Sequence, residues 1–167
     1  MDLNGKVVLV TGGTGSFGKQ FCKTVLERYK LRKLIIFSRD ELKQFEMQHD
    51  PAFRDREEMR YFIGDVRDFD RLEMAFRDVD YVIHAAALKH IPAAEYNPFE
   101  CIKTNVHGAE NVVRAAIRCN IKRVIALSTD KAANPINLYG ASKLASDKIF
   151  VAAKNLTDIH GPKFGVV

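Results

Sequence analysis

The sequence lacks an apolar run long enough to cross a membrane, and its N-terminus lacks the succession of basic, apolar and small residues that marks a signal peptide. We therefore expect a cytoplasmic protein without a membrane partner. Cysteine is also scarce: Cys22, Cys101 and Cys119 are odd in number and do not have the spacing of metal ligands. Reduced, mostly buried thiols are expected, and no metal site is predicted.

Clustered charge is absent too. The 26 Lys and Arg residues are interleaved with 21 Asp and Glu residues, which argues against a nucleic-acid partner. The net charge of +5 suits a site for several phosphates, as a dinucleotide and a nucleotide-activated substrate would require. With 167 residues, 47% of them hydrophobic, the chain is long enough for one core but short for two, so residues 1–167 are predicted to form a single domain.

Short β-branched apolar runs alternate with amphipathic segments along the chain. The predicted strands are Lys6–Thr11, Lys33–Phe37, Arg60–Ile63, Tyr81–Ala86 and Arg123–Ser128. The predicted helices lie near Phe17–Tyr29, Glu41–Gln48, Asp70–Arg77, Pro98–Cys119 and Leu138–Asn155. Because the strand runs are continuously apolar, they are typical of parallel strands covered on both faces. The predicted fold is a doubly wound parallel α/β sheet of Rossmann type with right-handed crossovers.

Two segments fall outside this alternation. Asp50–Glu58 is charged and contains a proline, which predicts an exposed loop. Lys163–Val167 is typical of a sixth strand at its start. Since an open α/β enzyme usually builds part of its substrate pocket beyond that point, the chain is expected to be truncated before a C-terminal substrate-binding part.

A glycine-rich loop, Thr-Gly-Gly-Thr-Gly-Ser-Phe-Gly over residues 11–18, follows the first predicted strand and opens the first helix. Glycines allow the tight turn and the close approach of backbone amides to a pyrophosphate, which the helix N-terminus then faces. A plain glycine turn is the alternative, but the strand–loop–helix context favours a dinucleotide site. The predicted cofactor contacts in the loop are Gly12, Thr14, Gly15, Ser16, Phe17 and Gly18.

The second predicted strand ends at Ser38, Arg39 and Asp40. A free ribose 2′-hydroxyl usually meets an acid at this position, whereas a 2′-phosphate prefers a hydroxyl and an arginine. Ser38 and Arg39 therefore predict NADP as the cofactor. Asp40 keeps NAD as an alternative, because Arg39 also fits a solvated charge at the start of a helix.

Further cofactor contacts are predicted at the ends of the next two strands. Asp65, beside Val66, is expected to accept from the adenine amino group, although it also fits a helix cap. Lys89 lies at the carboxyl edge, where ligands bind in such sheets, and Asn105 is expected to hold a water or a backbone group near the site; both also fit exposed residues. The fourth predicted strand ends in small side chains, which would let a nicotinamide ribose approach the backbone: Ala85, Ala86 and Ala87.

Tyr139 and Lys143 are four residues apart and therefore lie one turn apart on one face of a helix. A phenol has a reference pKa of about 10 and needs a nearby cation to act as a base near neutrality. Lys143 and an oxidised nicotinamide supply that charge. Alone the pair is a common coincidence, but after the fifth strand of a glycine-loop α/β domain it predicts a catalytic pair that also contacts the cofactor.

These motifs resemble those of extended short-chain dehydrogenase/reductases. Two further stretches carry the resemblance: His-Ala-Ala-Ala-Leu-Lys-His from residue 84 and Leu-Ser-Thr-Asp-Lys-Ala-Ala-Asn-Pro-Ile-Asn-Leu-Tyr-Gly-Ala-Ser-Lys up to residue 143. More narrowly, the chain resembles soluble, C5-inverting UDP-N-acetylglucosamine 4,6-dehydratases, which start pseudaminic acid synthesis. The resemblance implies a UDP-sugar substrate. Long helices near Pro98–Cys119 and Leu138–Asn155 offer faces that short-chain dehydrogenases commonly use to dimerise, so a homo-oligomer is expected.

The resemblance also implies roles for the residues after the fifth strand. Tyr139 would take the proton of the sugar 4-hydroxyl, which Thr129 holds, while NADP accepts a hydride from C4. Asp130 is the expected acid for the departing 6-hydroxyl, and Lys131 is the expected base for the C5 proton. Dehydratases that retain the C5 configuration carry Asp-Glu where this chain has Asp130 and Lys131, so Lys131 beside a retained Tyr139 favours the inverting type. The alternative for Asp130 and Lys131 is a surface ion pair.

Two other functions remain open from the sequence. A UDP-sugar 4-epimerase shares the Tyr-x-x-x-Lys pair but has no need for the acid and base at Asp130 and Lys131. A non-catalytic dinucleotide-binding module is the other alternative, because the chain as given is expected to lack its substrate-binding half.

Overall fold

The computed structural model describes residues 2–167. Its strands are β1 (Val7–Thr11), β2 (Lys33–Ser38), β3 (Met59–Ile63), β4 (Tyr81–His84), β5 (Arg123–Ala126) and β6 (Lys163–Val166). They form one six-stranded sheet in the order β3-β2-β1-β4-β5-β6, and every neighbouring pair is parallel. The predicted doubly wound parallel sheet is confirmed.

The helices between the strands are α1 (Ser16–Arg28), α2 (Glu41–His49), α3 (Phe69–Phe76), α4 (Ile91–Tyr96), α5 (Pro98–Ile102), α6 (Gly108–Arg118) and α7 (Leu138–Ala152). The helix predicted near Pro98–Cys119 is present as a continuous helical run that ends at Arg118, but it is not uniform, because a π-helical turn at Lys103–His107 joins α5 to α6. Helix α4 was not predicted. Helix α7 ends before the predicted Asn155 and continues as a short 3₁₀ turn, Ala153–Leu156.

The core lies on both faces of the sheet, which explains the continuously apolar strands. In β1, Val7 and Leu9 pack on the face covered by α3, α6 and α7, while Val8 and Val10 pack on the face covered by α1 and α2. Each of these four side chains is at most 1% exposed. A parallel strand that is buried on both faces is apolar at successive positions, so its sequence shows no alternation of polar and apolar residues.

Strands β4 and β5 end earlier than predicted, at His84 and Ala126 rather than at Ala86 and Ser128. For β4 the reason is local, because the backbone amide of Ala86 turns toward the hydroxyl of Thr11 on β1, at 3.3 Å. The segments beyond both strands leave the sheet and become available to line a site.

The remaining predicted features lie as follows. Residues 50–58 contain neither helix nor strand, as expected of a loop, although Phe53 within it is buried. The thiols of Cys22 and Cys101 are buried, and that of Cys119 is partly buried. Over residues 2–167, none of the helices combines the length and the apolar character needed to span a bilayer.

Candidate active site

A cleft of about 390 Å³ opens at the carboxyl edge of the sheet. It lies where the strand order reverses, with β2 on one side of β1 and β4 on the other, which is the usual ligand position in open α/β sheets. Most of the predicted site residues line it: Gly12, Thr14, Gly15, Ser16, Phe17, Gly18, Ser38, Arg39, Asp40, Asp65, Val66, Ala85, Ala86, Ala87, Lys89, Tyr139 and Lys143.

The glycine loop forms the floor of the cleft because its backbone passes very close to its neighbours. Gly12 has a φ of +67°, and a Cβ there would lie 2.8 Å from the amide nitrogen of Ala86. A Cβ on Gly18 would overlap the backbone of Gly13, so α1 can lie against the loop only because both residues are glycine. Gly15 is the N-cap of α1 and makes no side-chain cap, which leaves the first helix amides available to an anion.

Thr11 and His84 join the two halves of the sheet beneath this loop. The Thr11 hydroxyl lies 2.8 Å from Nδ1 of His84 and accepts from the amides of Ala85, at 3.2 Å, and Ala86, at 3.3 Å. Since the hydroxyl accepts from both amides, its proton points to His84 Nδ1, which must be unprotonated. Burial lowers the pKa of His84 to about 3, with a smaller effect of the Lys143 charge.

Ser38 and Asp40 at the end of β2 are both engaged by α2. The carboxylate of Asp40 caps α2 by accepting from the amide of Lys43 at 3.0 Å, and Lys43 Nζ lies 3.2 Å from the same carboxylate. These contacts, the Lys43 amide first, lower the pKa of Asp40. Ser38 Oγ accepts from Gln44 at 3.0 Å. Asp40 is therefore committed to the helix start, and Lys43, which the sequence reasoning missed, also lines the cleft.

Asp65 lies between two arginines. Its carboxylate is 2.6 Å from Arg67 and 3.5 Å from Arg39, and Arg67 also pairs with Glu100 on α5. Partial burial opposes ionisation of Asp65, but the hydrogen bonds and charge of Arg67, with the charge of Arg39, outweigh it and lower the pKa of the carboxyl. Asp65 thus holds Arg39 at the rim of the cleft.

Tyr139 and Lys143 lie on α7 at the opposite end of the cleft from Arg39 and are 9% and 4% exposed. Two acceptors cap the start of α7, since Asn137 accepts from the amide of Gly140 and Glu95 on α4 accepts from that of Leu138. Lys143 Nζ donates to the carbonyl of Leu127 at 2.6 Å. Burial lowers the pKa of Lys143, while the charge of Asp147 acts in the opposite direction.

Thr129, Asp130 and Lys131 do not line the cleft but lie beside it. They start a 3₁₀ turn, Asp130–Ala132, whose Lys131 carbonyl lies against Gly140, the residue after Tyr139. Asp130 and Lys131 form the ion pair of the alternative interpretation, at 3.3 Å, with 85% and 45% of their side chains exposed. Hydrogen bonds from Thr129 and then Lys131 lower the pKa of Asp130.

Asn105 also stays out of the cleft, although it is buried rather than exposed. Its amide group donates to the carbonyl and accepts from the amide of Leu88, both at 2.8 Å, and donates to Ser142 at 2.9 Å. Asn105 therefore fixes the backbone that follows Ala85–Ala87, which is one of the two roles expected for it. The π-helical turn places it there.

The sequence reasoning missed several lining residues: Phe37, Lys43, Gly64, Thr104, Leu127 and Ser128. Thr104 is informative because its hydroxyl is buried and has no hydrogen-bond partner within residues 2–167. A buried hydroxyl without a partner in a ligand-sized cleft indicates a group that pairs when the cleft is filled. No sequence signal distinguished Thr104 from an ordinary helical threonine.

Comparisons with known proteins agree with this geometry. A family model described as polysaccharide biosynthesis protein matches residues 8–167. The chain is 63% identical over 163 residues to the inverting UDP-N-acetylglucosamine 4,6-dehydratase of Campylobacter jejuni subsp. jejuni serotype O:23/36 (strain 81-176), which covers 98% of this chain and 48% of that protein. It is 45% identical over 150 residues to the UDP-glucose 4-epimerase of Rickettsia bellii (strain OSU 85-389), covering 88% and 43%.

Among solved structures, the dTDP-glucose 4,6-dehydratase of Streptomyces venezuelae with NAD bound is similar at a TM-score of 0.78 and 25% identity. That likeness covers 89% of this chain and 51% of the other. The chain thus spans about half the length of the curated relatives it matches. The resemblance inferred from the motifs is confirmed.

Proposed function

This chain belongs to the polysaccharide biosynthesis protein family, and on that premise we propose that it is the cofactor-binding part of a C5-inverting UDP-N-acetylglucosamine 4,6-dehydratase. One observation carries the proposal: a single cleft is floored by the glycine loop and has the buried pair Tyr139 and Lys143 at one end, with the Thr129–Lys131 segment packed against Gly140, the residue after Tyr139. The 63% identity to a dehydratase of that type supports it.

The proposed cofactor is a nicotinamide dinucleotide. The residues fit such a group, because the Gly15 N-cap leaves the first amides of α1 available to a pyrophosphate and because the Thr104 hydroxyl lacks a partner within residues 2–167. The NAD bound to the Streptomyces venezuelae dehydratase, which shares this fold, is further support. When bound, the nicotinamide ring accepts a hydride from sugar C4 and later returns it to C6.

NADP is the specific form that we propose. The rim of the cleft carries two cations, Arg39 and Lys43, beside the hydroxyl of Ser38. The acid that would bind a free 2′-hydroxyl, Asp40, is occupied by the start of α2. A 2′-phosphate is the ligand group that this charge distribution favours.

Proton transfers at the nicotinamide end belong to Tyr139 and its neighbours. The phenol takes the proton of the sugar 4-hydroxyl as C4 is oxidised, while Thr129 holds that hydroxyl. Lys143 lies one turn away on the same face of α7 and places its ammonium group at this end of the cleft. The resulting 4-ketone acidifies the C5 proton, which makes elimination across C5 and C6 feasible.

Lys131 removes the C5 proton and Asp130 protonates the departing 6-hydroxyl, so that water leaves. A proton then returns to C5 on the opposite face, which inverts that centre. Asp130 requires a change of surroundings for this role, because it is exposed and its pKa is lowered by Thr129 and Lys131. Covering Asp130 with the sugar supplies the desolvation that raises a carboxyl pKa.

The test is product analysis of the full-length protein with UDP-N-acetylglucosamine and NADP in heavy water. A 4-keto-6-deoxy product with deuterium at an inverted C5 is expected. Lys131→Ala should abolish it, whereas Lys154→Ala, an exposed lysine away from the cleft, should not. Absence of any 4-keto-6-deoxy product from the unaltered, cofactor-loaded protein would overturn the proposal.

A UDP-sugar 4-epimerase is the second candidate, favoured by the 45% identity to such an enzyme from Rickettsia bellii. It needs Tyr139 and Lys143 but not Asp130 and Lys131. A product epimerised at C4 that keeps its 6-hydroxyl, formed equally well by Lys131→Ala, would select it. Cofactor binding without any change to a UDP-sugar would instead select a non-catalytic module.

We also propose that two copies associate through α5 and α7. These helices expose apolar side chains at Phe99, Leu144 and Val151, which are 76%, 36% and 52% exposed. Burying such residues between copies removes apolar surface from water. Light scattering after size exclusion should give twice the chain mass, and Val151→Glu should halve it.

A further inference from the structure

Helix α7 holds the end of β5 at two consecutive residues. Lys143 Nζ donates to the carbonyl of Leu127, and one helical turn later the carboxylate of Asp147 accepts from the hydroxyl of Ser128. Lys143 and Asp147 are four residues apart and so share one face of α7. As the chain leaves the sheet, Leu127 is therefore held through its backbone carbonyl and Ser128 through its side chain.

We propose that Asp147 is a positioning residue of this site, which fixes Ser128 and thereby sets the place of the Thr129–Lys131 segment relative to Tyr139. The roles of Thr129, Asp130 and Lys131 rest on the proposed function, whereas the contact itself does not. Ser128 is the last residue before that segment and also lines the cleft. Its amide is held too, by the carbonyl of Val167 at 2.6 Å.

The Asp147 carboxylate is unusual in its second oxygen. Oδ1 is buried and has no hydrogen-bond partner within the described part of the chain. A buried carboxylate oxygen without a partner is unfavourable unless its charge is compensated nearby. Lys143 lies one helical turn away on the same face, is buried, and interacts with the charge of Asp147, while its ammonium group donates to the carbonyl of Leu127.

The charge of Asp147 also acts on Lys143, against the effect of burial. Tyr139 shares the α7 face of Lys143, and His84, at the end of β4, interacts with the Lys143 charge but is neutral because burial lowers its pKa to about 3. Asp147 is therefore the anion that opposes the effect of burial on Lys143. Removing it should lower the pKa of Lys143 further and shorten the pH range in which that lysine supports Tyr139.

Three substitutions separate the contact from the charge. Ser128→Ala removes the contact and keeps the charge, Asp147→Asn removes the charge and keeps an acceptor for Ser128, and Asp147→Ala removes both. Ser146→Ala is the matched control, since its buried hydroxyl on the same helix turn has no partner among residues 2–167. A general effect of trimming α7 would affect the control equally.

Amide hydrogen exchange in the 167-residue chain tests the positioning. Ala132 and Ala133 report on the segment, because their amides donate within it to the carbonyls of Thr129 and Asp130, both at 3.1 Å. Ser128→Ala and Asp147→Ala should raise their exchange rates about tenfold, the loss expected for a charge-assisted hydrogen bond. Asp147→Asn should stay near the unaltered chain. Equal rates in all four variants would overturn the proposal.

The charge is tested by titrating the Lys143 side chain by NMR, with its signal assigned by its loss in Lys143→Met. Its pKa should fall in both Asp147 variants and stay unchanged in Ser128→Ala. In full-length protein that makes product, the alkaline limb of the pH–rate profile should move to lower pH in Asp147→Asn. If the unaltered protein makes no product, the dehydratase assignment fails while exchange and titration still decide the role of Asp147.

Discussion

The carbonyl oxygen of Lys131 occupies the space that a side chain at Gly140 would fill. The 3₁₀ turn that carries Asp130 and Lys131 can therefore lie directly on α7, next to Tyr139. Two groups of residues that the sequence separates by a proline-containing loop are brought together by the absence of one methyl group.

Gly140→Ala should displace this turn. Because the added Cβ meets backbone and not a flexible side chain, we expect the free energy of unfolding to fall by about 1–3 kcal/mol, with changed amide shifts over residues 129–133. Urea unfolding and NMR measure both. Gly165→Ala is the control, since a Cβ there has nothing within 4 Å. Equal stability of the two variants would contradict the packing described.

Lys143→Met should remove one component of the pH dependence of stability. Burial lowers the pKa of Lys143, so between that lowered value and the unfolded value of 10.5 the unfolded chain binds more protons than the folded one. Stability from this group therefore rises with pH across that window, and the penalty of burying the charge is complete below it. Lys143→Met removes this penalty together with the hydrogen bond to Leu127, so the pH dependence of the stability difference carries the test.

The measurement is urea unfolding of both proteins at several pH values from 7 to 10.5. The stability of the unaltered chain relative to Lys143→Met should rise with pH across this range. A fall of that relative stability with pH would mean that the folded protein raises the pKa of this lysine.

Arg39→Ala should weaken NADP binding about tenfold and leave NAD binding nearly unchanged, since only a 2′-phosphate needs that guanidinium. Lys43→Ala should act in the same direction, and Arg39→Asp should reverse the preference in favour of NAD. Calorimetric titration of both cofactors gives the ratio. Arg54→Ala, which removes an exposed arginine paired with Asp55 outside the cleft, should change neither affinity. Loss of both affinities together in Arg39→Ala would refute a 2′-phosphate contact.

Thr104→Val should have opposite effects on stability and binding. The unpaired hydroxyl of Thr104 is buried without compensation, so its replacement by a methyl group should leave the free protein equally or more stable. Affinity for the dinucleotide should fall about tenfold, because the polar group that pairs with Thr104 in the filled cleft loses its partner. Thermal unfolding with and without NADP separates the two effects, and unchanged affinity would exclude this contact.

The features that could be predicted from the sequence are those that depend on residues close together in the chain. The glycine loop, the strand runs and the spacing of Tyr139 and Lys143 are local patterns, and the structure has them where they were expected. The missed parts depend on contacts between distant segments. Thr11 and His84 are 73 residues apart and meet only because β1 and β4 are neighbours in the sheet.

Helix geometry accounts for the other differences. Periodicity predicted a helix near Pro98–Cys119 but did not reveal the π-helical turn within it. That turn aims Asn105 at the backbone of Leu88, which no pattern of apolar residues records. Lys43 escaped notice because it approaches the cleft from within α2, five residues beyond the end of β2.

The contact between Thr11 and His84 bears on the interpretation of kinetic titrations. An ionisation near pH 6.5 in a rate profile is ordinarily assigned to a histidine. His84 lies close to the proposed reacting groups, yet burial lowers its pKa to about 3, so it stays an uncharged acceptor throughout the range in which such profiles are recorded. An inflection near neutrality in this protein must therefore be attributed to another group, and His84→Asn should leave its position unchanged.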